Sequence, residues 1–201
     1  MKFVCLGDSL TAGYGIAPQL CWVSLLSEMT PHTWINAGIC GDTTGGMLAR
    51  MRDDALCHAP DAILLLGGTN DILLTGNFDA ARANLSAMVH RCAACGVRPI
   101  IGLPLPVMPG APQWLNSFVP IADAAAVVGR YSNWLAGFSS ELRLRVVDFG
   151  GAIRALAESS GWRSAYLPDG LHPSPEGHRA LARAAAERLG SPAGNFCRRI
   201  P

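Results

Sequence analysis

The sequence predicts an α/β fold: a three-layer α/β/α sandwich built on a parallel sheet. Two patterns lead there. Short apolar runs bounded by Gly, Asn or Pro alternate with longer segments rich in Ala, Leu and Arg, the spacing of right-handed βαβ units. The runs are also continuously apolar, as in Ala62-Ile63-Leu64-Leu65-Leu66, which suits strands buried on both faces. A chain of 201 residues, half of them hydrophobic and 15% charged, has material for one such core and is short for two.

In chain order, strands are expected over residues 2–6, 33–36, 62–66, 98–103 and 145–149, and helices over 18–29, 44–57, 79–95, 119–138, 151–159 and 174–189. The last helix has the clearest start. Ser174 is placed to cap it, Pro175 fits its first position, and Leu181, Ala185 and Leu189 repeat every four residues. Met47, Leu48 and Met51 have core spacing. Residues 104–120, with five prolines and Trp114, read as a long loop over a site, its Leu105, Val107 and Met108 giving an apolar lining. Trp114 and Trp134 read as loop and core anchors. Residues 1–190 are expected to form one domain, followed by a tail at 191–201.

Composition removes several functions. The 16 basic and 15 acidic residues leave a net charge of +1, which favours neither nucleic acid nor an anionic membrane. Lys2 is the sole lysine, so a P-loop and a central Schiff-base lysine are both excluded. No stretch approaches the roughly eighteen apolar residues of a membrane span, and the run before Gly7 is too short for a secretory core. Seven scattered cysteines read as thiols in a reducing compartment, so the cytoplasm is expected.

Ligands of doubly wound sheets bind at the carboxyl ends of the strands. The chemistry-bearing residues of this sequence fall there: Gly7-Asp8-Ser9-Leu10, the stretch from Asn36 to Thr44, Gly67-Gly68-Thr69-Asn70-Asp71, and Asp169-Gly170-Leu171-His172-Pro173. They suit one reaction. A hydroxyl such as that of Ser9 is a poor nucleophile until a base takes its proton; His172 fits the base, and Asp169 is placed to orient it. The Gly41 amide and the Asn70 carboxamide are donors of the kind an oxyanion needs. Thr11 stands where the nucleophile elbow G-x-S-x-G would have its second glycine, so the α/β-hydrolase arrangement is not met.

These four blocks resemble those of the GDSL/SGNH hydrolases, whose letters are matched by Ser9, Gly41, Asn70 and His172. The stretch Asn36 to Thr44 followed by Leu48-Ala49-Arg50 is most similar to the bacterial branch of acyl-CoA thioesterase I, lysophospholipase L1 and arylesterase. The resemblance implies a flavodoxin-like sheet of five parallel strands, a Ser9–His172–Asp169 triad and no cofactor or metal. It also implies an oxyanion hole from Ser9, Gly41 and Asn70, and a small-molecule ester or thioester as substrate. Asp8, Thr69, Leu73, Pro106, Val107 and Leu171 are expected to contact that substrate.

Other readings use the same residues. A carbohydrate O-acetylesterase has the same machinery, and a flavodoxin-like sheet also suits a non-catalytic ligand-binding module. Asp8 suits a loop-orienting acceptor. Asp169, His172 and His178 have the residue types of a metal site, but His178 is expected a turn into the last helix, facing solvent. Cys92 and Cys95 are half of a zinc or redox motif without a second half, and are expected to pack. Gly13-Tyr14-Gly15 lacks the third glycine of a dinucleotide fingerprint.

Overall fold

A computed structural model describes residues 1–108, 111 and 118–190. Its elements run β1 (Lys2–Gly7), α1 (Ser9–Ala12), α2 (Trp22–Met29), β2 (Thr33–Gly38), α3 (Thr44–Asp54), β3 (Ala62–Leu66), α4 (Thr69–Thr75) and α5 (Asp79–Ala94). There follow β4 (Arg98–Leu103), α6 (Ile121–Glu141), β5 (Arg145–Asp148), α7 (Phe149–Ser160), α8 (Trp162–Ala165) and α9 (Pro175–Leu189). All strand pairs are parallel, in the order β2-β1-β3-β4-β5. This is the expected five-stranded, flavodoxin-like sheet, and its order reverses between β1 and β3.

Continuous apolar strands work here because both faces are covered. Val4, Leu6, Ile63, Leu65 and Ile101 point to one side, where Met47 and Met51 of α3, Met88 of α5 and Tyr131 of α6 bury them. Phe3, Cys5, Leu64, Leu66 and Ile100 point to the other, against Trp22 and Leu26 of α2, Phe149 and Ile153 of α7, and Leu181 and Ala185 of α9. Successive strand residues alternate between these layers. Each fully buried leucine, isoleucine or valine contributes roughly 1.5–3 kcal/mol, so the two cores supply most of the folding energy.

The expected elements differ mainly at their ends. The helix expected over 18–29 is broken at Cys21, whose extended backbone separates a 3₁₀ turn (Pro18–Leu20) from α2. The helix expected over 44–57 ends at Asp54 and a 3₁₀ turn (Leu56–His58) follows. α1, α4 and α8 were too short to show a period. Among the described residues, no helix is long and apolar enough to cross a membrane. The expected tail over 191–201, Trp114 and most of residues 109–117 lie outside the described residues.

Candidate active site

β1 ends at Gly7, and Asp8 then caps α1 by accepting a hydrogen bond from the Leu10 N–H (2.9 Å). That turn puts Ser9 at the carboxyl edge of a central strand, beside the reversal of strand order. Asp169 and His172 arrive from the far end of the chain on a tight turn between α8 and α9. The turn is closed by Gly170 N–H to Leu167 O (3.0 Å) and Leu167 N–H to His172 O (2.8 Å). Ser174 caps α9 through the Gly177 N–H, with Pro175 in its first turn, as the sequence predicts.

Three side chains meet there in a row. Ser9 Oγ lies 2.9 Å from His172 Nε2, and His172 Nδ1 lies 2.7 Å from Asp169 Oδ2. The other Asp169 oxygen accepts from the Leu171 and His172 N–H groups, both at 2.9 Å. Burial works against the charge on Asp169, yet these two N–H groups and the His172 ring outweigh it and hold the carboxyl below its ordinary range. The arrangement suits an anion that fixes the ring tautomer and faces an imidazolium when Ser9 gives up its proton.

The row opens into a cavity of about 460 Å³ lined by Ser9, Tyr14, Cys40, Gly41, Asn70, Leu73, Leu74, Asp169, Leu171 and His172. Gly41 has a left-handed backbone (φ 79°) and open space where a Cβ would stand. Among the described residues no hydrogen bond occupies the Ser9 or Gly41 N–H. The Asn70 carboxamide donates to the Asp42 carbonyl at 2.8 Å, which ties it to the Gly41 loop and leaves its second N–H free to face the cavity.

The residues expected to touch substrate separate into two groups. Leu73 and Leu171 line the cavity. Asp8, Thr69, Pro106 and Val107 do not: Asp8 and Thr69 are buried beneath it, and Val107 sits in the core on the α5 side of the sheet. The Pro106 carbonyl accepts a hydrogen bond from the Tyr166 hydroxyl. Leu105 joins the opposite core, and the Met108 N–H donates to Gly170 O (2.8 Å). The described part of this loop therefore braces the Asp169–His172 turn and supplies no apolar lining.

Two further expectations are corrected. His178 does not face solvent; it is fully buried, with Nδ1 accepting from the Trp22 N–H at 3.3 Å. Burial, with His172 nearby, lowers its pKa to about 4, so it stays neutral. Among the described residues no three His, Cys, Asp or Glu side chains are grouped to hold a metal ion. Of the cysteine pair, Cys92 packs in the core, whereas Cys95 is exposed.

Sequence reasoning missed the residue that joins the loops. Arg50 on α3 donates to Gly7 O (2.8 Å) just before Asp8 and Ser9, to Ala37 O (2.8 Å), and to the Asp42 carboxylate (2.7 Å). Asp71 fixes the start of α3 by accepting from the Thr44 N–H (2.9 Å) and hydroxyl (2.7 Å). Tyr14 and Leu74 were also missed as cavity walls. For Tyr14 the only signal was its place in Gly13-Tyr14-Gly15, five residues after Ser9.

Comparison with known proteins gives concordant results. The family model for GDSL-like lipases and acylhydrolases matches residues 5–180. An arylesterase of Vibrio mimicus is 29% identical over 94% of this chain and 88% of its own. The esterase TesA of Pseudomonas aeruginosa is 30% identical over 60% of this chain and 63% of its own. Among solved structures, a G-D-S-L family lipolytic protein from Desulfitobacterium hafniense superposes with a TM-score of 0.79 at 22% identity, over 94% of this chain and 99% of that one.

Proposed function

The chain belongs to the GDSL-like lipase/acylhydrolase family and is an esterase of the serine-hydrolase kind, and from that premise we propose that Ser9, His172 and Asp169 are its catalytic triad. The observation that carries the reading is the unbroken row from Ser9 Oγ through His172 to Asp169 Oδ2, at 2.9 and 2.7 Å, opening on a cavity.

His172 Nε2 takes the Ser9 proton as Oγ attacks the substrate carbonyl, and Asp169 stabilises the imidazolium. The negative oxygen of the tetrahedral intermediate is held by the Ser9 and Gly41 N–H groups and the Asn70 carboxamide. His172 then protonates the leaving group, and water hydrolyses the acyl-enzyme by the same steps. The substrate is a small ester or thioester, with Leu73, Leu74 and Leu171 receiving its apolar part. The match over residues 5–180 supports one catalytic domain over 1–190. Scattered cysteines, six of them free among the described residues, support a reducing compartment, the cytoplasm.

A sugar-acetate substrate is the second reading. With Leu105 and Val107 buried in the cores, the described loop no longer favours acyl chains. A fluorophosphonate should add once, on the peptide holding Ser9, and Ser9→Ala should abolish labelling. An adduct elsewhere would sink the assignment. A panel of p-nitrophenyl esters from acetate to palmitate, beside acyl-CoAs and acetylated sugars, separates the substrate classes.

A further inference from the structure

We propose that Tyr14 is a positioning residue for the base, holding the His172 ring against Ser9 and stabilising its protonated form through the face of the phenol. The inference rests on the triad reading above and adds a residue to it.

The Tyr14 ring centroid lies 4.4 Å from that of His172, with the planes inclined at 40°. The side chain is half exposed, so core packing does not explain where it stands. Its backbone does. The Tyr14 N–H donates to the carbonyl of Ser9 itself (3.1 Å), and the Gly13 N–H donates to the same oxygen (3.0 Å). Gly13 and Gly15 flank it with left-handed backbones (φ 85° and 76°), and a Cβ on Gly15 would stand 2.6 Å from Leu167. The turn therefore fixes Tyr14 relative to the nucleophile on one side and to the His172 turn on the other.

The groups around the imidazole divide the work. Asp169 meets Nδ1 and Ser9 meets Nε2. His178 is a further titratable group that interacts with the ring among the described residues, and buried and neutral it brings no charge. Tyr14 is left with a ring face. An aromatic face attracts a cation within about 6 Å through its quadrupole and does much less for a neutral ring. During turnover above the acid limb, His172 becomes cationic when the proton leaves Ser9 Oγ and stays so until it reaches the leaving group. The attraction therefore acts mainly in the transition state and belongs in kcat rather than KM.

The test compares Tyr14→Leu with Tyr14→Phe in hydrolysis of p-nitrophenyl acetate across the acid limb of kcat/KM. Leucine should lower kcat roughly three- to tenfold, leave KM within about twofold, and move the acid limb to lower pH, because the imidazolium loses a stabiliser. Phenylalanine should restore all three. If leucine changes only KM and leaves kcat and the acid limb in place, Tyr14 is a cavity wall and the proposal fails. It fails equally if phenylalanine behaves like leucine. Tyr14→Met serves the same comparison should the leucine variant fold poorly. Ser9→Ala and His172→Ala run alongside, since wild-type activity in either would overturn the triad whatever Tyr14 does.

Discussion

The row beside the cavity and the floor beneath Ser9 shift the same kind of group in opposite directions. In the row, each Asp169 oxygen is hydrogen-bonded, and the carboxyl is held below its ordinary range. In the floor, Asp8 receives the Leu10 N–H on one oxygen, while its Oδ2 meets no donor among the described residues. Burial, opposed by that N–H and its own amide and reinforced by Asp42 and Asp71, raises Asp8 to about 7. Thr11 and Thr69 place two more buried hydroxyls without partners in the same floor. Asp8 is both the more deeply buried of the two and the poorer in donors, and the two differences act together to disfavour its charge.

Four changes test that contrast, in falling order of effect. Asp169→Asn should lower kcat by about 10⁴, because the amide permits the wrong histidine tautomer. Steady-state rates measure it, and a loss under tenfold would place Asp169 outside the machinery. Asn70→Ala should cost about 10²–10³ in kcat with KM nearly constant. A normal kcat would remove Asn70 from the oxyanion site. Asp8→Asn should leave turnover within a few-fold and raise stability above neutral pH by about 1–3 kcal/mol, because the amide has no charge to bury.

The sign of that last effect follows from proton counts. Between about pH 4 and 7 the unfolded chain has released the Asp8 proton while the folded protein keeps it, so this group lowers stability as pH rises. Asp169 acts the other way: its contribution is present above the ordinary carboxyl pKa and is lost as pH falls through its depressed folded value. Thermal melts should show the Asp8→Asn advantage shrinking towards pH 4, and an advantage constant with pH would contradict the protonated floor. Thr69→Val should change least, stabilising by about 1 kcal/mol or less. An altered KM would instead return Thr69 to the substrate surface.

Much of this was legible in the sequence, for identifiable reasons. Strands buried on both faces announce themselves as unbroken apolar runs. The Asp169–His172 spacing is local, so one turn suffices to align the two side chains. What was not legible depends on distant partners. His178 stands one turn into a helix that reads as polar there, and its partner, the Trp22 N–H, comes from the other end of the chain. The 104–108 segment reads as an apolar lining until the Gly170 carbonyl and the Tyr166 hydroxyl draw it down. Arg50 looks like one more surface arginine on α3, because Gly7, Ala37 and Asp42, which it joins, come from separate places in the sequence.

That arginine makes the site sensitive to events far from it. One guanidinium spans the end of β1 before Ser9 and the Gly41–Asp42 loop, and it rides on a helix seated by Met47 and Met51. A loosened seat is thus felt as misalignment: the Gly41 loop separates from Ser9 by the distance the helix slips. Losing about 1 Å of alignment in such a constellation can cost 10²-fold in rate. Truncating Met51, which does not line the cavity, should therefore register as lost turnover at temperatures where the fold is still intact.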